Sequence, residues 1–597
     1  MSATDRLLGA TTTRRVVLRG ALTGSAGLAA AALVGCSTAD KPAGAPASAP
    51  AASAKPKLLN EEQQSLNDPA FPYPVVVPEP DTPPVRGGIY KEGYFVEFGN
   101  FDTIVASSVS TQRVPNDVGE GILRFVGGGK VKPQINEIEA SLATSWELSP
   151  DGLTFTFKLT DKAKFHNKPP VNGRAFTAED ARLVYERNRT ANASVSKGFF
   201  DNVSTITAVN PTTLQIKLKA PQPDFITYPA TRELVIYAME LVDTGALTKS
   251  QDAIGTGPWI LTEAIKSDHI SYVKNKDYWR GEPYMDGALV RIMPDQSART
   301  AALRTGQIHY GQSILRTKRD ADAFRQTNPD NHIIWNASAG AVSGVFSMAS
   351  MRNPKWQDER VRQAISMLFN RERQLQLVSE GIGYPYVRSL PWAVVFDKRP
   401  TSQAELGPYL KYDPAEGKNL LMAATGQSTF AFDWLASPQL SATDTLIGFA
   451  VDSFKDNGIT VTPKLVDAPT LASQFSTKQF PDTSSGTLIR YTTDNYYKDG
   501  VQTGGSLNPS SISDKQLDDW CTQQSTEINP QKRRELLRKI WDHTAQKVYF
   551  PFEQAAGAGP AGVWAKQLRN FWGASSLNGA VTVSNPLKYM AGSWLEK

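Results

Sequence analysis

Cysteine is nearly absent from this chain: 597 residues hold two, Cys36 and Cys521, so at most one intrachain disulfide could form. Histidine is scarce as well. The five histidines (His166, His269, His309, His332 and His543) lie far apart. None sits in a His-Glu-x-x-His helix or beside a cysteine pair, so no metal-ligand spacing exists and no cofactor is implied. Excess charge is small, with 64 Lys and Arg against 59 Asp and Glu. There are no basic blocks, which argues against nucleic acid as a partner. No apolar run is long enough to span a bilayer; the longest, Gly20 to Gly35, is short and rich in Gly and Ala. Catalytic patterns are missing too. No Gly-x-Ser-x-Gly elbow occurs. Gly127-Gly128-Gly129-Lys130 lacks the upstream glycine of a phosphate loop, and Val131 stands where Ser or Thr would hold magnesium; the stretch reads as a hairpin turn. Ser194 with Lys197, and Ser271 with Lys274, match a serine–lysine spacing without the accompanying boxes. An enzyme here, such as a cell-wall hydrolase, would need a site assembled only in three dimensions. The expectation is a non-enzyme.

What is present begins at the N-terminus. Four arginines (Arg6, Arg14, Arg15 and Arg19) precede a soft apolar core in the layout of a secretory signal over residues 1–35. The run Thr13-Arg14-Arg15-Val16-Val17-Leu18 resembles a twin-arginine export signal, with Val17 where Phe is usual. Leu33-Val34-Gly35-Cys36 resembles a lipobox. Cys36 is thus the expected lipidation site and mature N-terminus, anchoring the chain at the outer face of a membrane. Cys521 would then be the only free thiol, and the mature net charge falls to +2. Ser37 to Pro84 carries eleven prolines among Ala and Ser. Such a segment cannot bury enough apolar surface to offset its ordering entropy, and extends at most about 3 Å per residue. We read 36–84 as a tether, with folding starting near Val85.

Beyond it, strand and helix signals alternate. Leu153, Phe155, Phe157 and Leu159 fall on one face of a strand, and Leu214, Ile216 and Leu218 repeat the pattern. Between them Thr177 is an N-cap, with Glu179 and Asp180 in the first turn of a helix. Residues 358–383 read as one long helix whose apolar face carries Val361, Ile365, Leu368 and Phe369, stopping at Gly381. Residues 514–552 read as two helices split at Asn529-Pro530, then a short strand. Gly255-Thr256-Gly257-Pro258 reads as a turn whose glycines supply positive φ.

Four blocks then match in order. Residues 142–187 carry Ala-x-Ser-Trp at Trp146, an Asp151-Gly152 strand start, Lys164-Phe165-His166, and Phe176-Thr177-Ala178-Glu179-Asp180. Residues 254–308 carry Gly-Thr-Gly-Pro, Asn275-x-Asp277-Tyr278-Trp279 and Pro294-Asp295. The blocks "DERVRQAISMLFNRE" and "YDPAEGKNLL" follow. Together they resemble the extracellular solute-binding proteins, family 5, of peptide-type ABC importers. The resemblance implies an α/β, two-lobed periplasmic-binding-protein fold (type II, a hinged trap) with an extra subdomain inserted in the first lobe. The expected division is lobe I over 85–125, 240–335 and 560–597, the insertion over 126–239, and lobe II over 336–559. It also implies a monomer, a peptide ligand and an ABC permease as partner, with an oligosaccharide as the alternative ligand. Relatives that carry nickel chelates or haem have no counterpart in these scattered histidines. A purely structural surface lipoprotein is the third reading.

In peptide binders of this family a Trp-x-x-Asp stretch grips the ligand's α-amino group, because a buried ammonium must be paired. In this sequence Tyr491 stands for the Trp and Asp494 for the Asp, followed by Asn495 and Tyr496; Tyr497-Lys498 replaces the usual Asp-Pro. Tyr496, Tyr497, Trp392 and Trp434 are candidate aromatic walls of the cleft.

Overall fold

The alternating strand at Thr154–Leu159 shows how local pattern becomes layer. Phe155 and Phe157 point inward and meet Ile216 and Leu214 of the antiparallel strand Thr213–Leu218, so one face is apolar and the other wet. With Ala143–Leu148 and Val203–Asn210 they make a four-stranded sheet in the order Ala143–Leu148, Thr154–Leu159, Thr213–Leu218, Val203–Asn210. The helix Ala178–Thr190 packs on that sheet. Its Thr177 cap and Asp180 form a reciprocal capping box, which satisfies amide groups the helix itself cannot.

The computed structural model describes residues 82–597 apart from 106–111, 127–136, 313, 316, 336–345, 438–443, 481, 487–491, 506–507, 558–559, 572–585 and 597. The export signal at Arg14 and Arg15, Cys36, the tether, the Gly127–Lys130 turn and Tyr491 lie outside the described residues. Among the described residues no helix is long and apolar enough to cross a membrane.

Two further sheets carry the rest. A seven-stranded mixed sheet runs His332–Trp335, Pro560–Trp564, Tyr310–Gln312, Ile89–Tyr94, Gly287–Ile292, His269–Lys274, Trp259–Ile265. It draws strands from three distant stretches of chain, with Ile89–Tyr94 parallel to both of its neighbours. A five-stranded sheet runs Ile459–Leu465, Phe430–Ala436, Thr483–Gly486, Phe346–Ala349, Phe552–Glu553. The helix Asp444–Lys455 connects the parallel strands Phe430–Ala436 and Ile459–Leu465, as parallel strands require a crossover. One core unites the seven-stranded and four-stranded sheets. Separate cores flank the five-stranded sheet.

Two expectations need correction. Residues 358–383 form two helices, Glu359–Met367 and Arg371–Val378. Asn370 breaks the run because its side chain accepts from the Arg373 amide and caps a new helix. The buried Arg371 fixes the break by donating to the Ser366, Leu410 and Glu553 carbonyls. Gly255 and Gly257 do not adopt positive φ. They are glycine because a Cβ would lie 2.4 Å and 2.7 Å from the Val118 carbonyl oxygen. Gly255→Ala should therefore destabilise by more than about 2 kcal/mol through backbone overpacking; an unchanged denaturant midpoint would contradict this. The strands at 154–159 and 213–218, and the helices Lys515–Thr526 and Pro530–Lys547 split at Asn529-Pro530, are as expected.

Under the seven-stranded sheet lies a fully buried ionic group. Arg113, first residue of the helix Arg113–Val118, donates from Nη1 and Nη2 to the two Glu92 oxygens at 2.8 Å each. Its Nε donates to Asp117 Oδ2 at 3.1 Å, and its guanidinium lies 4.4 Å from the Tyr94 ring centre. Tyr90 and Tyr272 hydroxyls donate to Glu92 and Asp117. Burial outweighs Arg113 at Asp117 and raises its pKa to about 6.

Candidate functional site

The strand Thr483–Gly486 leads toward a five-residue helix, Thr493–Tyr497, capped by Thr492, whose side chain accepts from the Asn495 amide. Every residue from Asp494 to Tyr497 is buried, so this short helix is held by packing rather than by propensity. Tyr497 donates to the Pro391 carbonyl at 3.0 Å, next to the half-buried Trp392. Tyr496 and Trp392 share one apolar cluster. Asn495 Nδ2 donates to Asp499. The buried Cys521 thiol donates to the Tyr497 carbonyl.

Asp494 is 2% exposed. Its Oδ1 accepts from Gln524 Nε2 at 2.7 Å and from Arg533 Nη2 at 3.4 Å. Its Oδ2 is buried with no hydrogen-bond partner among the described residues. Arg533 also donates to Asp224 Oδ1 at 2.6 Å, while Asp224 Oδ2 accepts the Asp494 backbone amide at 2.7 Å. Asp224 sits on the 3-10 helix Pro223–Ala230, just after the four-stranded sheet. Arg533 and Asp494 belong to the stretch that carries the five-stranded sheet, so this ion pair ties the two parts together. Burial first, and the Asp224 charge second, push the Asp494 pKa up to about 7 against the pull of Arg533.

A cavity of about 310 Å³ opens beside this carboxylate, with Asp494, Lys498 and Asp499 on one wall and Asp201, Asn202 and Tyr228 on the other. Tyr228 stacks on Phe199 with ring centres 4.4 Å apart. Among the described lining residues three carboxylates face one lysine, so the lining favours a cationic group.

The structure thus brings Asp494, Asn495, Tyr496 and Trp392 into one neighbourhood. Trp434 lies elsewhere: it is a fully buried residue of the five-stranded sheet's strand Phe430–Ala436, donating to Ser485 Oγ at 2.8 Å and packing on Phe552. Asp224, Gln524, Arg533 and Tyr228 were not singled out by the sequence. Asp224 and Arg533 stand 309 positions apart, and no local pattern links them. Among the described residues no group of three or more His, Cys, Asp or Glu could hold a metal ion. His166 is instead a buried neutral residue whose Nε2 donates to the Gly257 carbonyl at 3.0 Å, and burial lowers its pKa to about 4.

Residues 137–509 match the bacterial extracellular solute-binding proteins, family 5 (middle region). The chain belongs to this family of solute-binding proteins. It is 27% identical over 356 residues to a Brucella ovis protein whose name reads ABC transporter peptide-binding protein, covering 57% of this chain. That match spans 62% of the relative's own length. It is 25% identical to the glutathione-binding protein GsiB of Pectobacterium atrosepticum, over 66% of this chain and 72% of that one. In fold it superposes on the ABC transporter-associated periplasmic binding protein DppA of Helicobacter pylori, solved with the peptide STSA, with a TM-score of 0.69. That superposition covers 86% of this chain and 99% of the other at 19% identity. The architecture is therefore the two-lobed type II periplasmic-binding-protein fold.

Proposed function

We propose that the protein is a lipid-anchored receptor that captures peptides outside the membrane and hands them to an ABC permease by closing its lobes. The observation that carries this reading is the buried, unpartnered Oδ2 of Asp494 beside a cavity rich in carboxylates. A peptide's α-ammonium fits there, since such a cation needs a buried partner and strengthens the bond it makes. The names of the relatives favour the same ligand class. Lobe I takes 85–125, 240–335 and 560–597, with 126–239 inserted, and lobe II takes 336–559. Ligand contacting both lobes shifts the population toward the closed form. Cys36 ties the monomer to the outer leaflet after twin-arginine export, and the proline-rich tether gives it reach.

Native mass spectrometry of the chain purified gently from an exporting host tests this. The expected result is a ladder of added peptide masses that fragment into sequence. A sugar mass would keep the fold and overturn the peptide assignment. Protein that stays bare, and then fails to bind any member of a free-amine peptide panel, would overturn it as well.

A further inference from the structure

A second cavity, of about 450 Å³, lies in the seven-stranded-sheet part of the molecule and shares no lining residue with the Asp494 cavity. Among the described residues its wall carries Arg86, Arg124, Arg280 and Lys588 against a single carboxylate, Glu282. Glu282 is already engaged by Lys274 at 2.8 Å and Arg86 at 3.2 Å. Arg280 is fixed by stacking on Trp279, 4.6 Å to the ring centre, and by donating to the Ala140 and Ser141 carbonyls. Arg124 spends Nε on Glu139 at 2.6 Å, which leaves both of its Nη groups without a hydrogen bond among the described residues. Lys588 is half-buried and makes no hydrogen bond or ion pair with any described residue. An ammonium in that position is costly unless an anion pairs with it. Its surroundings agree: burial first, then Arg124, lower its pKa to about 8, while Glu120, Glu233 and Asp117 pull the other way.

We propose that this cavity is an anion site that takes a phosphate group, with Lys588 and the Nη groups of Arg124 as its principal donors. Guanidinium and ammonium donors converging on one space suit a tetrahedral oxyanion, which offers several acceptor oxygens at once. The volume is in the range of ordinary ligand pockets. Arg86 lies two residues after Pro84, where the proline-rich segment ends. A phospholipid headgroup and a free phosphate are therefore the two sources of this chemistry.

The test uses the full chain carrying Cys36→Ser, so that no acyl group contributes. One arm titrates inorganic phosphate by calorimetry. The other measures co-sedimentation with vesicles of phosphatidylglycerol in phosphatidylcholine, against phosphatidylcholine alone. Saturable phosphate binding is expected, weakened about tenfold or more by Lys588→Met, as loss of a charge-assisted contact implies. Lys588→Arg should retain it and Arg124→Gln should reduce it. If binding to phosphatidylglycerol vesicles also depends on Lys588, the source is a headgroup; if only the phosphate arm responds, it is a free phosphate. Binding absent from both arms, or indifferent to both Lys588→Met and Arg124→Gln, overturns the proposal. Near-ultraviolet circular dichroism confirms that each variant is folded. Because the Asp494 cavity is untouched, peptide binding should be the same in all of them.

Discussion

Asp494→Asn is expected to weaken binding of a free-amine peptide by about 10- to 100-fold, and at the same time to stabilise the unliganded protein above pH 7. The two effects have one cause. The carboxylate is buried, with one oxygen lacking a hydrogen-bond partner among the described residues, so its charge is costly until a cation arrives. Asparagine keeps an acceptor for Gln524, and Arg533 keeps Asp224, so the local frame should survive. What it loses is the charge that pairs with an ammonium. The sign of the pH effect follows from the shift. The folded-state pKa is raised to about 7 from the ordinary aspartate value of 3.8. The folded protein therefore holds a proton that the unfolded chain gives up, and stability falls as pH rises from about 4 to about 7. Asp494→Asn removes that slope. Thermal midpoints of the empty protein at pH 5 and pH 8 should differ less in the variant than in the parent. Calorimetric titration with one peptide, free and N-acetylated, checks the other half. The acetylated form should bind the parent weakly and be unaffected by the substitution. Equal affinity of parent and variant for the free peptide would remove Asp494 from the site.

Arg113→Ala should destabilise the protein by about 3–5 kcal/mol, the usual cost of stripping one partner from a buried ion group. Arg113 has no exposed side-chain surface and is shared by Glu92 and Asp117, which are equally buried. Without it two carboxylates face each other under the sheet, short of their strongest donor. Asp117 Oδ1 already lacks a hydrogen bond. The guanidinium's packing on Tyr94 would be lost as well. Replacing Arg113 and Glu92 together with glutamines should recover part of the loss, since only Asp117 then carries charge. Urea unfolding followed by tryptophan fluorescence measures both variants. A midpoint for Arg113→Ala within error of the parent would show that water or rearrangement satisfies the carboxylates instead.

The polar groups at the two sites differ in setting. Around Arg113 one arginine is shared by Glu92 and Asp117, and Asp117 Oδ1 is left without a hydrogen bond among the described residues. Around Asp494 one acceptor is left over as well, but it lies beside a cavity, and the arginine that neutralises part of its charge is shared with the distant Asp224. Buried groups left unsatisfied in a native protein call for a functional account, and a ligand cation supplies one.

Local pattern was enough for much of the fold. Period-two alternation placed Phe155, Phe157, Leu214 and Ile216 on the inner face of a sheet, because successive strand residues point to opposite sides. Thr177 and Asn529-Pro530 marked helix ends, because capping and the missing proline amide act within a few residues. The ordered family blocks identified the two-lobed class and pointed to Asp494. Tertiary structure alone decided where the 358–383 segment breaks, since Arg371 finds its acceptors on Glu553 and Leu410. It alone explained Gly255, whose neighbour is the Val118 backbone. It placed Trp434 in a core and Trp392 near Asp494, a distinction that two tryptophans in sequence do not express. Above all it brought Asp224 and Arg533 to Asp494, and Arg124 to Lys588. Backbone propensities and caps act over a few residues and can be read along the chain; charge, burial and unpaired donors depend on which distant segments the fold makes neighbours.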